Sequence, residues 1–157
     1  MKLFLGAVFL LATLPAAIAA PVVAISTAPR AAPAASLFSW VPAGGLPDPF
    51  PYGQCTWWVA YNRRVSWGGN AADWIANARA QGVATDEVPS VGAIAVYRAG
   101  GGYSGYGHVA VVIALEPGAY TVSEMDFTGW GQVSTRSVAW PDTHLEGFIP
   151  LRKEDLQ

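Results

Sequence analysis

The sequence predicts a domain of the α+β class, in which helices come first and an antiparallel sheet follows. Two segments with helical character, residues 55–65 and 70–82, precede every strong strand signal. After residue 92 several short apolar and β-branched runs follow one another, and no helical pattern separates them. Helices followed by sequential short strands favour an α+β fold.

The two helices are predicted from their start and stop signals. Gly53 is a turn former, and residues 55–65 are compatible with a helix. Asn70 is a candidate N-cap of the second helix, and Gly82 ends it. Between these two residues, apolar side chains recur at helical spacing, at Ala71, Trp74, Ile75 and Ala78.

Five strands are predicted after the helices. They cover residues 93–97, 109–115, 120–127, 132–139 and 147–151. The second is a continuous β-branched run, which is typical of a buried strand. Because the strands follow each other directly, we expect them to pair as an antiparallel sheet with the helices packed on it.

The N-terminus has the pattern of an export signal. Lys2 supplies a positive start, residues 3–14 form an apolar run, and Pro15 breaks it. Ala17-Ile18-Ala19 then offers the small-x-small pattern that a signal peptidase requires. We predict a signal peptide at residues 1–19, with an uncleaved membrane anchor as the alternative. Either interpretation makes the protein secreted or periplasmic, with the rest of the chain outside the cytoplasm.

Composition divides the remaining chain into three parts. Residues 20–45 are rich in Ala and Pro without sustained periodicity and predict a linker. Residues 46–151 carry all the predicted elements and form one folded domain. Residues 152–157 predict a polar tail.

Charge and cysteine content exclude several functional classes. The formal net charge is -2, and Lys and Arg are not clustered, so we expect no nucleic-acid partner. Cys55 is the only cysteine, which excludes an internal disulfide and a multi-cysteine zinc site. Three interpretations of Cys55 remain open: an intermolecular bridge, an inert buried thiol or a reactive nucleophile.

Cys55 and His108 are candidates for a nucleophile and its base. A thiol attacks as its thiolate, and the N-terminus of the helix predicted at Cys55 favours negative charge. The N–H groups there could also hold an oxyanion, with Gln54 beside the nucleophile as an accessory group. His108 follows the Gly-rich segment 100–107 and opens a predicted strand, which is a suitable place for a general base.

Glu124 and Asp126 are candidates for the acid that orients His108. They lie two residues apart on one predicted strand and therefore share one of its faces. A hairpin loop of three residues, 116–118, or of five, 115–119, would place His108 opposite Asp126 and diagonal to Glu124. A two-residue loop would turn both carboxylates to the wrong face, because a one-residue slip reverses every side chain.

Aromatic residues near these candidates are predicted to contact a substrate. Trp57 and Trp58 follow the cysteine directly, and helix packing explains one of them while a cleft wall would explain the other. Tyr106 and Trp130 lie in Gly-rich segments, where core packing explains an aromatic side chain less readily.

Three blocks of the sequence resemble the signature of the CHAP family, the cysteine, histidine-dependent amidohydrolases and peptidases of the papain-like and NlpC/P60-like superfamily. The blocks are Tyr-Gly-Gln-Cys-Thr-Trp-Trp at 52–58, Gly-His-Val-Ala-Val-Val at 107–112 and Val-Ser-Glu-Met-Asp at 122–126. The resemblance covers about residues 49–151. It implies a papain-like fold, with N-terminal helices packed on an antiparallel sheet.

The resemblance also implies a function and its residues. Members hydrolyse peptidoglycan, at the muramoyl–alanine amide or within stem and cross-bridge peptides. Cys55 would be the nucleophile, His108 the base and Glu124 the orienting acid. Relatives often carry Asn where this chain has Asp126, and the second carboxylate could share or compete for the orienting role. Only Asp48 is acidic in the stretch before the cysteine, so we expect no calcium site, and no other metal or organic cofactor.

The sequence therefore predicts a secreted peptidoglycan hydrolase with a Cys-His-Glu thiol mechanism. We expect a monomer that acts on peptidoglycan, with recruitment by an envelope partner as one way to reach the wall. Two alternatives stay open: a non-catalytic peptidoglycan-binding or scaffold module, and an amidase acting on a small soluble metabolite.

Overall fold

A computed structural model describes Trp40 and residues 44–156, which belong to one compact unit. The predicted signal peptide and most of the predicted linker lie outside the described residues. None of the helices among residues 44–156 has the length and apolar character that a membrane span requires.

Two short helices precede the sheet, as predicted. Helix α1 is Cys55–Asn62, and helix α2 is Trp74–Ala80, preceded by a 3₁₀ turn at Ala71–Asp73. The Asp73 carboxylate accepts the backbone N–H of Asn70 at 3.3 Å, which satisfies one of the free donors at this helix start.

Five strands form one antiparallel sheet, as the α+β prediction requires. They are β1 (Ile94–Tyr97), β2 (His108–Glu116), β3 (Ala119–Met125), β4 (Val133–Ala139) and β5 (Leu145–Ile149). Their order across the sheet is β4-β3-β2-β1-β5. Strands β2, β3 and β4 are therefore a meander, in which each strand pairs with the next along the chain.

The β2–β3 hairpin corrects the predicted loop but keeps the predicted register near the site. Glu116 pairs with Ala119, so the loop has two residues, Pro117 and Gly118, and not three or five. A β-bulge between Val112 and Ala114 then adds one residue to β2. Beyond the bulge the pairing returns to the predicted register, with Val111 opposite Ser123, because a bulge sets two residues against one.

The sheet buries both faces. One face packs on the helices through a cluster that includes Val59, Trp74, Ile75, Ile94, Val96, Val109, Val111 and Ile149. The other face forms a second cluster of Ala95, Tyr97, Ala110, Val112, Tyr120, Val122, Val138 and Phe148. Side chains alternate along a strand, so His108, Glu124 and Arg136 share this second face with Ala110, Val122 and Val138.

Segments at both ends of the described chain also pack on the domain. Trp40, within the predicted linker, packs against the helix-facing cluster and donates its backbone N–H to the Ile113 carbonyl at 2.9 Å. The polar C-terminal segment forms a 3₁₀ helix, Lys153–Leu156, in which Asp155 pairs with the buried Arg63 at 2.8 Å. The folded unit therefore includes residues on either side of 46–151.

Candidate active site

Cys55 is the first residue of α1, and a sharp turn at residues 53–54 directly precedes it. Gln54 is extended, and Gly53 has a φ of 94°, a conformation that favours glycine. A Cβ at Gly53 would lie 2.4 Å from the Trp130 ring. Both the turn and the close approach of Trp130 therefore require glycine two residues before the cysteine.

His108 opens β2, and its side chain is only 7% exposed. It follows Gly107, which has a φ of 77° and whose Cβ would lie 2.6 Å from the Tyr97 carbonyl oxygen. The imidazole Nε2 contacts Oε2 of Glu124 at 3.0 Å. The Cys55 side chain also interacts with the imidazole and helps to raise its pKa, and Nδ1 is the ring nitrogen that does not contact Glu124.

Glu124 lies on β3 with its side chain fully buried. Besides His108 it accepts two hydrogen bonds from Arg136, from Nε to Oε1 at 2.9 Å and from Nη2 to Oε2 at 3.1 Å. Burial alone would raise the pKa of Glu124, but the bonds from His108 and Arg136 outweigh it, so the pKa lies below its ordinary value. Glu124 is therefore a carboxylate between two cations.

The environment of His108 favours the imidazolium. Burial alone would lower the pKa of His108, but hydrogen bonds with Cys55 and Glu124, and the attraction of both groups, outweigh it and raise the pKa to about 9. At neutral pH the imidazole is therefore protonated, and it lies between the Cys55 sulfur and the Glu124 carboxylate. This arrangement supplies a general acid next to a potential nucleophile.

Two aromatic rings pack against the imidazole of His108. Tyr103, from the Gly-rich segment, stacks on His108 with ring centroids 5.5 Å apart and planes 17° apart. Phe127 lies 5.8 Å from the imidazole at a tilted angle. The ring is therefore held by packing as well as by hydrogen bonds.

Asp126 does not take the position opposite His108 that the sequence predicted for it. Strand β3 ends at Met125, and Asp126 turns away with a φ of 66°, its N–H bonded to the Gln132 carbonyl at 3.1 Å. Its exposed carboxylate has no hydrogen-bond partner among the described residues. Glu124, and not Asp126, contacts the imidazole.

A cleft of about 560 Å³ opens beside the cysteine. Cys55, Gln54 and Asp126 line it together with Asn70, Ser104 and Tyr106. Asp126 is the one charged residue among the lining side chains that the structure describes. The cleft therefore leads from solvent to the thiol past a negative charge.

The four aromatic residues predicted to bind substrate lie in different places. Tyr106 lines the cleft and is 70% exposed. Trp130 is 64% exposed and covers Gly53. Trp57 packs between Tyr52 and Tyr61, and Trp58 donates its indole N–H to Ser123 at 3.1 Å. Neither Trp57 nor Trp58 is part of the described cleft wall, so packing accounts for both.

Arg136 is the site residue that sequence reasoning missed. Side chains on β4 alternate between its two faces. The buried Val138, two residues after Arg136, indicates that Arg136 lies on the face that packs on the rest of the domain. Among the described residues, no group of three His, Cys, Asp or Glu side chains is placed to hold a metal ion.

Comparison with known proteins identifies sequences and a structure similar to this domain. A family model described as CHAP domain matches residues 45–126. Probable autolysin LDP of Staphylococcus aureus is 39% identical over 100 residues, which cover 59% of this chain and 34% of that protein. N-acetylmuramoyl-L-alanine amidase sle1 of Staphylococcus haemolyticus is 40% identical over 87 residues, which cover 50% of this chain and 25% of that protein.

A solved structure has the same architecture. The crystal structure of N-acetylmuramoyl-L-alanine amidase from Staphylococcus aureus superposes with a TM-score of 0.59 and 30% identity, covering 66% of this chain and 32% of that one. The chain thus spans between a quarter and about a third of the length of these three proteins.

Proposed function

Because this chain belongs to the CHAP family, we propose that it is a hydrolase that cleaves an amide bond of peptidoglycan with Cys55 as its nucleophile. The observation that carries the proposal is the line of Cys55, His108 and Glu124 beside an open cleft. The relatives named autolysin and N-acetylmuramoyl-L-alanine amidase supply the substrate class.

The proposed reaction has two steps. The Cys55 sulfur, as thiolate, attacks the amide carbon, and the carbonyl oxygen becomes an oxyanion. The His108 imidazolium gives its proton to the leaving nitrogen, the C–N bond breaks, and a thioester remains on the enzyme. Water then attacks the thioester with His108 as base, which releases the carboxylate product and restores the thiolate–imidazolium pair.

The remaining residues are proposed to orient and bind. Glu124 fixes the imidazole so that its other nitrogen faces the sulfur. We assign the oxyanion to the free N–H groups at the start of α1 and to Gln54, which lines the cleft beside Cys55. Tyr106 on the cleft wall and Trp130 beside it are the exposed aromatic surfaces available to a muropeptide.

Export is part of the proposal, and it depends on the sequence alone. Peptidoglycan lies outside the cytoplasmic membrane, where the predicted signal at residues 1–19 would deliver the protein. N-terminal sequencing of protein recovered outside the cytoplasm should begin at Ala20. A first residue of Met1 would favour the uncleaved anchor, and recovery from the cytoplasm alone would contradict export.

The test is digestion of purified sacculi by the full chain, with products identified by mass spectrometry. Wild-type protein should release fragments, and Cys55→Ala should lower the rate by at least about a thousandfold while keeping the wild-type circular dichroism spectrum. Fragment masses identify the bond, because an amidase frees the lactyl carboxylate of muramic acid and an endopeptidase cuts between amino acids.

The single cysteine provides an independent control. Iodoacetamide can alkylate no other thiol of the chain, so inactivation in step with modification of Cys55 would support its role. Equal release by wild type and Cys55→Ala would contradict the thiol mechanism. Binding of sacculi without release, on several wall chemistries, would instead favour a non-catalytic module.

A further inference from the structure

Arg136 makes the most extensive polar contacts of any side chain around Glu124. Its guanidinium binds both carboxylate oxygens, at 2.9 and 3.1 Å, in the two-pronged geometry that fixes a carboxylate in orientation as well as position. Glu124 is fully buried, whereas the Arg136 side chain is 24% exposed. The guanidinium therefore approaches the carboxylate from the outer side of the site.

Three neighbouring strands bring these groups into one row. His108 lies on β2, Glu124 on β3 and Arg136 on β4, and β3 pairs with both of the others. Glu124 pairs with Ser134, so Arg136 reaches it along the diagonal of the β3–β4 ladder. Oε2 of Glu124 consequently contacts His108 and Arg136 at once, at 3.0 and 3.1 Å.

Arg136 also connects the row to the Gly-rich segment. Its Nη2 donates to the Tyr103 hydroxyl at 3.2 Å, and Tyr103 is the residue whose ring stacks on His108. The guanidinium carbon lies 4.1 Å from the centroid of the Phe127 ring, which holds the head group in place. The same arginine thus contacts the orienting carboxylate and an aromatic ring that covers the imidazole.

We propose that Arg136 is a positioning residue of this centre: it aligns the Glu124 carboxylate with His108 and shares that carboxylate's charge with the imidazolium. The catalytic role of this alignment rests on the proposed function. Its effect on the charge and proton affinity of His108 applies to the protein without substrate. A buried carboxylate with one cationic partner acts on that partner alone, whereas a second cation weakens its effect.

The consequence concerns how firmly His108 holds its proton. The titratable and charged groups that face the imidazole are Cys55 from α1, Tyr97 from β1, Tyr103 from the Gly-rich segment, Glu124 from β3 and, behind it, Arg136 from β4. Arg136 is the only fixed cation of this set. Without it, the imidazolium should bind its proton more tightly and give it up less readily to a leaving amine.

The experiment compares Arg136→Gln and Arg136→Lys with wild type by NMR titration of His108 in the full chain. The chain has two histidines, so His144 serves as the internal reference. In Arg136→Gln the pKa of His108 should rise by at least about half a pH unit. Arg136→Lys keeps the positive charge but loses the paired hydrogen bonds to Glu124. The pKa of His108 should therefore stay near the wild-type value.

Turnover of sacculi provides the second readout. Arg136→Gln should lower kcat by about tenfold or more with a smaller change in KM, and Arg136→Lys should lower it less. Arg98→Gln is the matched control, because Arg98 pairs with Glu146 on the surface, and it should leave both the His108 titration and turnover unchanged. Arg136→Met, an unbranched apolar side chain next to the Phe127 ring, replaces Gln if the Gln variant does not fold.

A folded Arg136→Gln or Arg136→Met protein in which His108 titrates at or below the wild-type pH would overturn the proposal. So would a wild-type kcat in a folded neutral variant. Failure of the proposed function gives a different result, in which wild type releases nothing from sacculi while the His108 titration still responds to Arg136.

Discussion

At the residue scale, two carboxylates that strand alternation would place on one face have separate positions. Glu124 is buried against His108, whereas Asp126 is exposed on the cleft wall in a left-handed conformation. Asp is one of the few residues that adopt this conformation readily. The early end of β3 at Met125 therefore separates two side chains that strict strand alternation would place on one face.

Glu124→Gln and Asp126→Asn should have different effects on His108. Removing the Glu124 charge should lower the pKa of His108 from about 9 toward 6.5 and reduce kcat by about ten- to a hundredfold. Asp126→Asn should leave the His108 pKa unchanged, because Asp126 does not contact the ring. NMR titration of both variants measures this, and a larger shift in Asp126→Asn would reverse the assignment of the orienting acid.

The sequence indicates Cys55 and His108 as candidate site residues because their side-chain chemistry is distinctive, but it does not indicate Arg136. Cys55 and His108 stand out because the chain has one cysteine and two histidines. Arg136 resembles any arginine on a solvated strand until its contacts are known. The inward-facing Val138 indicates its face, but only the pairing of β4 with β3 shows that Glu124 lies within its reach.

At the element scale, the Gly-rich segment before His108 contains glycines that serve different purposes. Gly107 has both a positive φ and a Cβ position that would overlap the Tyr97 carbonyl and the Ala72 backbone. Gly102 has a positive φ but open space, and Gly105 has open space without a positive φ. The three positions separate steric contact from backbone strain within one loop.

Alanine substitutions should rank in that order. Gly107→Ala should destabilise the fold by about 3 kcal/mol, Gly102→Ala by about 1 kcal/mol, and Gly105→Ala by less than about 0.5 kcal/mol. Urea unfolding followed by circular dichroism measures the three. Comparable losses at Gly107 and Gly105 would show that the close approach to Tyr97 does not constrain the loop.

The β2–β3 hairpin has a loop length and a bulge that the hydrophobic pattern of the sequence does not predict. The β-branched run predicted a strand over 109–115, and the structure confirms one at His108–Glu116. A two-residue loop with one bulge and a three-residue loop without one give the same register at the site. Sequence periodicity alone does not distinguish them, because the bulge lies among apolar residues that suit either face.

At the scale of the whole molecule, the C-terminal segment stabilises the domain through a buried ion pair. Arg63 is 2% exposed, and its Nη2 donates to Asp155 at 2.8 Å. Nε and Nη1 of Arg63 have no partner among the described residues, so Asp155 is the main compensation for this buried charge. The neighbouring Glu154, which pairs with Arg152, is 58% exposed.

Asp155→Ala should therefore destabilise the protein by about 3 kcal/mol, since it leaves Arg63 buried without a counter-ion. Glu154→Ala, one residue away, should change the free energy of unfolding by less than about 0.5 kcal/mol. Urea midpoints of the two variants test the difference. Equal midpoints would mean that the C-terminal segment contributes no more than a surface ion pair.

The centre should also make stability depend on pH. The pKa of His108 is raised from 6.5 to about 9 on folding, so its contribution is fully present below pH 6.5 and is lost as the pH rises through about 9. The pKa of Glu124 is lowered on folding, so Glu124 stabilises the folded protein above pH 4.5, the ordinary pKa of the carboxyl group. This stabilisation is lost as the pH falls from 4.5 through the lower pKa that Glu124 has in the folded protein.

Urea unfolding midpoints at pH 6 and pH 9.5 measure the stability that His108 loses at alkaline pH. Wild type should lose more stability between the two than His108→Gln, which lacks the titrating ring. An equal loss in both proteins would assign the alkaline destabilisation to groups outside this centre.

The centre is divided between two layers of the fold. His108, Glu124 and Arg136 come from one continuous meander, in which Glu124 lies 16 residues from His108 and 12 from Arg136. Cys55 belongs to α1, which contacts the sheet through side chains, by packing and by the Trp58–Ser123 hydrogen bond, and takes no part in the strand pairing. A partial opening that lifts this helix would part the sulfur from the ring while every strand stayed paired. Catalysis should therefore disappear in mild denaturant before the sheet melts, so that enzyme activity reports the docking of a single helix.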